Sequence, residues 1–173
     1  MHGDVLMRIR PILNLLLFMS ITGHAWALDQ DATQPIFIQA DFAKIDNQQG
    51  IGYYEGRVQF DQGTSHIRAD RAQTQLNEDH ELIEAIAYGN QQHRAYFWTQ
   101  PEGDQTVLHA KADTIRFVAA SKRIYLIGNA EITKADDVYR APKIEYDSEH
   151  QTITSPASKQ GRTEIIIHHQ SAP

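Results

Sequence analysis

A sequence pattern in which apolar and polar residues alternate around a small central residue recurs four times along the chain. No segment of comparable length has convincing helical periodicity. Alternation of apolar and polar residues places one kind of side chain on each face of a β-strand. The four phrases are IFIQADFAKID (36–46), IRADRAQTQL (67–76), LHAKADTIRF (108–117) and YRAPKIEYD (139–147), and their central alanines are assigned as Ala40, Ala69, Ala110 and Ala141. The recurrence predicts stacked β units that cannot bury their apolar faces alone.

Strand patterns continue at short intervals from residue 36 to near the end of the chain. The candidate strands are 36–45, 51–60, 64–76, 82–88, 94–99, 106–117, 123–127, 129–134, 138–146, 151–154 and 163–168. Turn-forming clusters separate them, for example at residues 47–50 and at Gly128-Asn129. The tetrapeptide AASK at 119–122 predicts one helical turn. Many short strands at intervals of about 8–12 residues indicate an all-β sandwich, roll or solenoid.

The N-terminal segment has the pattern of a secretory signal. Arg8 and Arg10 precede an apolar run at 12–21, and Ala25-Trp26-Ala27 has the form of an A-x-A cleavage site. The apolar run is about half of the ~20 residues that span a bilayer. We therefore predict a cleaved signal, with an uncleaved membrane anchor as the alternative. The predicted divisions are a signal at 1–27, a polar leader at 28–35, a β domain at 36–168 and a tail at 169–173.

Charge and cysteine content exclude several classes of protein. The formal net charge is -6 and the mean hydropathy is -0.49. An acidic surface opposes sequence-independent nucleic-acid binding, which requires Lys and Arg to displace counterions from phosphates. Cysteine is absent, so the chain can form neither a disulfide framework nor a thiolate metal site.

No motif for catalysis or metal binding stands out. The chain has nine histidines, but His168 and His169 are adjacent and would point to opposite faces of a strand. The other histidines lack the spacing of a metal-binding pair. No G-x-S-x-G, P-loop or G-x-G-x-x-G motif occurs. We therefore expect no metal, no cofactor and no enzymatic activity.

The predicted strands contain many large apolar residues that could share the inner face of a sheet. These residues would fill an ordinary sandwich core, or they would line an open groove for acyl chains, which require apolar area rather than specific hydrogen bonds. Candidates for the groove are Ile36, Ile38, Phe60, Tyr96, Ile115, Phe117, Tyr125, Ile127, Ile132, Ile144 and Tyr146.

A family resemblance favours the groove. The segments QPIFIQAD (34–41), GRVQFDQGTSHIRAD (56–70), AYGNQ (87–91) and HAKADTIRFVAASKRIYLIGNAEI (109–132) resemble the LptA/OstA-like lipopolysaccharide-export family. The resemblance extends from about residue 34 to residue 155. It implies a periplasmic protein with an open, V-shaped antiparallel β-jellyroll. Such proteins chain head to tail between the inner and outer membranes, with the acyl tails of lipopolysaccharide held in an apolar interior groove.

The resemblance also implies particular residues and partners. Groove-lining positions of the family match Ile36, Ile38, Ile115 and Phe117, together with Phe97 or Tyr96. The i, i+2 spacing independently places Ile36 with Ile38, and Ile115 with Phe117, on common faces. The implied partners are lipopolysaccharide, further copies of the chain, an inner-membrane export complex with an LptC-like domain, and an outer-membrane translocon with an LptD-like N-terminal domain.

The two ends of an open roll leave unpaired strand edges. The segment RTEIIIHH (162–169) has neither Pro nor Lys to block pairing. Pairing of this edge with the N-terminal edge of another copy would not close and would give filaments. The predicted edge residues are Ile36, Phe37, Ile38, Ile165, Ile166 and Ile167. Two alternatives stay open: an LptC-like membrane-tethered component of the same pathway, and a ligand-free structural β-solenoid of the periplasm.

Overall fold

The computed structural model describes residues 34–101 and 104–168, which form antiparallel β-strands and one 3₁₀ turn at Ala119–Ser121. The strands are β1 (Phe37–Gln39), β2 (Phe42–Asp46), β3 (Ile51–Gln62), β4 (Ser65–Leu76), β5 (Leu82–Tyr88), β6 (Ala95–Thr99), β7 (Leu108–Ala112), β8 (Thr114–Val118), β9 (Arg123–Lys134), β10 (Asp137–Asp147), β11 (Thr152–Thr154) and β12 (Glu164–Ile166). The all-β prediction is confirmed. The predicted signal, the first part of the leader and the tail lie outside the described residues.

The strands form two walls that meet along one seam. Wall 1 contains, in order, β1, the second half of β3, the first half of β4, β6, β7, the second half of β9, the first half of β10, and β12. Wall 2 contains β2, the first half of β3, the second half of β4, β5, β8, the first half of β9, the second half of β10, and β11. The seam is the line along which the chain passes from one wall to the other.

The seam explains where the predicted strand boundaries were wrong. The predicted strand 36–45 is two strands, because the chain leaves wall 1 at Asp41. The predicted strand 106–117 likewise begins at Leu108 and breaks at Asp113. In contrast, the predicted turn at Gly128-Asn129 lies inside the continuous strand β9, which crosses the seam without ending. Bends within strands and turns between strands use the same residue types, so local sequence does not separate them.

Two corners of the seam share one geometry. The backbone N–H of Asp41 donates to the carbonyl of Gly56, and that of Asp113 donates to the carbonyl of Gly128, each at 2.9 Å. Both glycines have positive φ, 75° and 77°, and a Cβ on either one would collide with the facing aspartate side chain. The Ala-Asp pairs at 40–41 and 112–113 therefore mark corners, at which the carboxylate lies over a glycine of the neighbouring strand.

The corners belong to a duplication with an offset of 72 residues. Residues with positive φ recur in the pairs Gly50 and Lys122, Gly56 and Gly128, Arg57 and Asn129, and Gly63 and Ala135. The hydrogen bond from the N–H of Leu76 to Gly50 recurs from Ser148 to Lys122. The same offset relates Ala40 to Ala112, so the assignment of Ala110 to the repeated alanine position is wrong by two residues. The duplicated aspartate follows Ala112, not Ala110.

Ala135 provides a test of this equivalence. It occupies the left-handed region with φ of 51°, where its counterpart Gly63 has φ of 54°. An L-residue in this region costs about 1–2 kcal/mol. We expect Ala135→Gly to raise the free energy of unfolding by about 1 kcal/mol and Gly63→Ala to lower it by a similar amount, as measured by urea denaturation. A destabilised Ala135→Gly variant would contradict the assignment of strain to this turn.

The two walls face each other across one apolar core. Buried residues of wall 1, including Phe97, Leu108 and Ile132, form a single cluster with Ile115 and Leu126 of wall 2. A smaller cluster around Tyr54, Val58 and Ala72 lies at the N-terminal end. The long strands β3, β4, β9 and β10 join the walls at both ends of the molecule. In the middle, the β5–β8 pair and the β6–β7 pair share no ladder with each other.

Candidate lipid-binding interior

A continuous row of inward-facing side chains crosses wall 1 from edge to edge. Each member is the direct cross-strand partner of the next, which places all of them on one face of the sheet. The row consists of Ile38, Phe60, Ile67, Phe97, Ala110, Ile132, Tyr139 and Ile165. Tyr139 is the only ionisable member, so this row is almost entirely apolar.

Two such rows cross wall 2. The row nearer the seam consists of Ala43, Tyr54, Ala72, Ala87, Ile115, Leu126 and Ile144. The row farther from the seam consists of Ile45, Gly52, Thr74, Ala85, Phe117, Ile124, Tyr146 and Ile153. Small residues dominate the N-terminal half of both rows, and large aliphatic and aromatic residues dominate the C-terminal half.

The apolar interior is exposed at both ends of the molecule and packed in the middle. At the N-terminal end Ile38 is 38% exposed and Ile45 is 61% exposed, and at the C-terminal end Ile165 is 55% exposed. In the middle, Ile115, Leu126 and Ile132 are at most 1% exposed. Large apolar side chains left in water at two opposite ends of one face are a mark of contact with a ligand or another protein.

Tyr146 keeps its part of the interior uncharged. Its ring is buried in wall 2, and burial, reinforced by the carboxylates of Asp104 and Asp147, raises its pKa to about 12. The hydroxyl is therefore protonated throughout the physiological range. Asp104 belongs to the loop between β6 and β7 in wall 1, where it forms a 2.6 Å ion pair with Lys134.

Three predicted groove residues face outward instead. Tyr96 alternates with the buried Ala95 and Phe97, and it stacks on His109 of β7. Tyr125 lies under the cationic groups of Arg116 and Lys143 on the outer face of wall 2. Ile127 pairs with Thr114 and Lys143 on the same face and is 41% exposed.

The other predicted groove residues lie on or beside the inner rows. Phe60, Phe97, Ile115, Phe117, Ile132, Ile144 and Tyr146 face inward with Ile38, and Ile36 immediately precedes β1 in phase with Ile38. Sequence reasoning missed Leu108, Ile124 and Leu126 of the buried core. Strict alternation along β9 would have found the last two, because Ile124, Leu126, Ala130 and Ile132 keep one phase through Gly128.

The outer face of wall 1 carries a stacked aromatic ladder. Trp98 lies between His66 and Tyr96, with ring centroids 4.7 and 5.0 Å away, and Arg68 lies over the Trp98 ring. Asp61 accepts hydrogen bonds from Arg68 and pairs with His66. Each of these rings stacks on the next one along the row. The four-residue run at 95–98 is thus covered on both faces, by the core on one side and by this ladder on the other.

A cluster of charged side chains links the last three strands at the C-terminal edge of wall 1. Arg140 on β10 donates to Glu131 on β9 at 2.8 Å and to Glu164 on β12 at 3.3 Å. The hydrogen bond from Arg140 holds the pKa of Glu131 below its usual value, against the effect of burial and with help from Arg94.

Arg140→Met should therefore destabilise the protein in a pH-dependent way. A carboxylate whose folded pKa is lowered stabilises the fold above its unfolded pKa, and this contribution is lost as the pH falls through the folded value. We expect a loss of stability at pH 7 that shrinks as the pH falls through the folded pKa of Glu131, measured by urea denaturation. Lys122→Met, which removes a more exposed 3.8 Å pair with Glu149, should change stability by less than about 0.5 kcal/mol. A deficit that persists unchanged at pH 2 would contradict the assignment.

Within residues 34–101 and 104–168, no helix is long and apolar enough to cross a bilayer. Over the same part of the chain, no group of three His, Asp or Glu side chains is arranged to hold a metal ion.

The described strands thus form an all-β jellyroll of two facing walls with an apolar interior that is exposed at both ends. The family described as "LptA/(LptD N-terminal domain) LPS transport protein" matches residues 37–152. The match covers most of the described strands, from β1 to the start of β11, and the chain belongs to this family.

Curated relatives carry the same description. The chain is 28% identical over 134 residues to the lipopolysaccharide export system protein LptH of Pseudomonas aeruginosa, covering 78% of this chain and 75% of that protein. It is 27% identical over 159 residues to the lipopolysaccharide export system protein LptA of Escherichia coli K12, covering 90% and 84%.

A solved structure has the same fold. The crystal structure of P. aeruginosa LptH, described as the LptA homologous periplasmic component of the lipopolysaccharide transport device, superposes with a TM-score of 0.73. The sequences are 24% identical in this comparison, which covers 81% of this chain and 99% of LptH. The jellyroll architecture expected from the sequence resemblance is thus confirmed.

Proposed function

We propose that this protein is a periplasmic carrier that holds lipopolysaccharide by its acyl chains between the two walls and passes it from the inner to the outer membrane. The observation that supports the proposal most is the apolar interior, which runs from one end of the molecule to the other and is exposed at both ends. Family membership and the names of the relatives support the same cargo.

The energetics favour recognition through the tails. Each acyl methylene removed from water contributes about 0.8 kcal/mol, so several chains bind tightly without a polar contact. Ile115, Leu126 and Ile132 already pack against one another in the middle of the interior. The acyl chains would therefore enter on the side away from the seam and separate the β5–β8 pair from the β6–β7 pair, which no ladder joins. Side-chain contacts between the walls would be replaced by contacts with the lipid.

A route between membranes would require the interior to continue beyond one molecule. Each wall contains eight antiparallel segments, so its first and last segments run in opposite directions. A second copy placed end to end would extend both walls with antiparallel pairing. The exposed Ile38, Ile45 and Ile165 would then be covered. The same edges would accept an LptC-like domain of the inner-membrane complex and the LptD-like N-terminal domain of the outer-membrane translocon.

The proposed carrier needs no catalytic group, and its location is the periplasm. The residues predicted to form the signal at 1–27 would be removed during export, and mass spectrometry of the exported protein would give a mature chain beginning at Leu28. An intact N-terminus would favour the membrane-tethered alternative.

Lipid binding is tested by titrating the purified mature protein with lipopolysaccharide that carries a fluorescent label. We expect unlabelled lipid A to displace the label, because it contains all of the acyl chains. The matched competitor is the core oligosaccharide freed of lipid A, which should not displace the label. Absence of binding by a folded protein would favour the ligand-free structural alternative, and displacement by the oligosaccharide would contradict recognition through the tails.

A further inference from the structure

The duplication divides the described strands into two equivalent six-strand units. The first unit contains β1 to β6 and the second contains β7 to β12, with an offset of 72 residues between β1–β4 and β7–β10. The last two strands of each unit dock in the same way. Phe97 of β6 pairs with Ile67 of β4, and Ile165 of β12 pairs with Tyr139 of β10, at positions that the offset relates. The strands β11 and β12 are therefore the counterparts of β5 and β6.

The chain already contains one junction between two such units. The end of the first unit pairs with the start of the second, β6 with β7 in wall 1 and β5 with β8 in wall 2. On the inner face, Phe97 lies opposite Ala110, and Ala85 lies opposite Phe117. Phe97 and Ala110 are buried in the core and Phe117 packs against it, which shows how the end of one unit closes onto the start of the next.

We infer that the junction between copies repeats this internal junction, so that β12 and β11 of one copy pair with β1 and β2 of the next in the register of β6 and β5 on β7 and β8. The inference rests on the proposed end-to-end assembly and adds the residue pairs to it. In wall 1, Ile165 lies opposite Ile38 of the next copy. In wall 2, Ile153 lies opposite Ile45.

The side chains at the two free edges fit this register. On the inner face it brings together isoleucines that are exposed in one molecule, including Ile38, Ile45 and Ile165. On the outer face of wall 1 it places Ile166 opposite Phe37, which is itself exposed. Shifting the pairing by one residue would place each isoleucine of one edge opposite an outward-facing residue of the other, because side chains alternate between faces. Unlike a register shifted by one residue, the inferred register covers the apolar residues of both edges.

The absence of natural cysteine allows a direct test by disulfide formation. Lys44 and Thr154 lie on the outer face of wall 2 and are opposite each other in the inferred register. The variants Lys44→Cys and Thr154→Cys are prepared separately in the full mature chain, mixed and oxidised, so that only a single crosslinked dimer forms. The control mixture contains Lys44→Cys and Thr152→Cys, whose positions are displaced by two residues and exceed the roughly 7 Å Cα separation that a disulfide tolerates.

A second pair and an internal control complete the design. Gln39→Cys with Glu164→Cys tests wall 1, and Gln39→Cys with Ile166→Cys is its displaced control. The double variant Ile86→Cys/Arg116→Cys places cysteines at the equivalent positions of the internal junction, where the residues are direct partners. Its intramolecular disulfide shows that this geometry permits the bond.

We expect each opposite pair to give at least tenfold more dimer than its displaced control. Equal or greater crosslinking of the displaced pairs would overturn the register while leaving end-to-end assembly intact. Larger species in light scattering without crosslinking of either opposite pair would have the same meaning. A protein that stays monomeric at every concentration and forms no crosslink would overturn both the register and the proposed assembly.

Discussion

Leu126→Ala should lower the free energy of unfolding by about 3 kcal/mol, because it removes a fully buried side chain from the middle of β9 and leaves a cavity between the walls. Leu126 packs in the cluster that joins both walls, with Ile115 and Ile144 as its direct cross-strand partners. The walls cannot readily move together to fill this cavity, because β9 is paired with neighbouring strands along its whole length. Urea denaturation followed by circular dichroism measures the effect.

The matched control is the neighbouring residue. Ile127→Ala removes a side chain that points outward from the same strand, so we expect a change below about 0.5 kcal/mol. The two variants together test the phase of β9, which sequence reasoning placed one residue away. Similar losses at the two positions, or a greater loss at Ile127, would contradict the assignment of the inner face.

Ile165→Glu should convert an assembling protein into a monomer. In the inferred junction Ile165 of one copy is buried against Ile38 of the next, and a carboxylate placed there would lose its hydration without gaining a partner. We expect self-association to weaken at least 30-fold, measured by light scattering over a range of concentrations. Stability should change little, because Ile165 is exposed in the single molecule.

A charge-pair variant separates a loss of contact from a loss of folding. Ile38→Lys alone should weaken association in the same way. The double variant Ile38→Lys/Ile165→Glu should regain association, because each of its junctions brings the two opposite charges together. An Ile165→Glu variant that assembles as well as the unmodified protein would contradict the role of this edge.

The sequence carried most of the information about strands and little about the seam. Alternation located the strands because half-buried sheets impose a period of two on apolar side chains. Gly56 and Gly128, however, lie at bends that cross from one wall to the other, and glycine at a bend has the same local signature as glycine at a turn. The interpretation of Gly128 as a strand boundary allowed the phase of β9 to be reset, and Tyr125 and Ile127 were therefore assigned to the wrong face.

Neither periodicity nor the family resemblance decided which residues of the run at 95–98 face inward. The run at 95–98 is apolar throughout, so its pattern does not distinguish Tyr96 from Phe97 as the inward residue. The structure resolves the choice, because Phe97 pairs with Ile67 and Ala110 on the inner face while Tyr96 stacks on His109 outside. The duplication was visible as recurring Ala-Asp phrases. The offset of 72 residues became clear only from the structure, in which Asp41 and Asp113 make equivalent hydrogen bonds.

The central claim is that the acyl chains lie between the walls. A photo-crosslinking amino acid placed at Ile45 or Phe117 reports on the inner face of wall 2, at its exposed end and in its middle. The outer controls are Phe42 and Ile127. They are 54% and 41% exposed, so lipid that adheres nonspecifically to the surface can reach them. After irradiation of living cells, we predict lipopolysaccharide adducts at Ile45 and Phe117 and none at Phe42 or Ile127. Adducts of equal intensity on both faces, or none at the inner positions of a folded and exported protein, would contradict the claim.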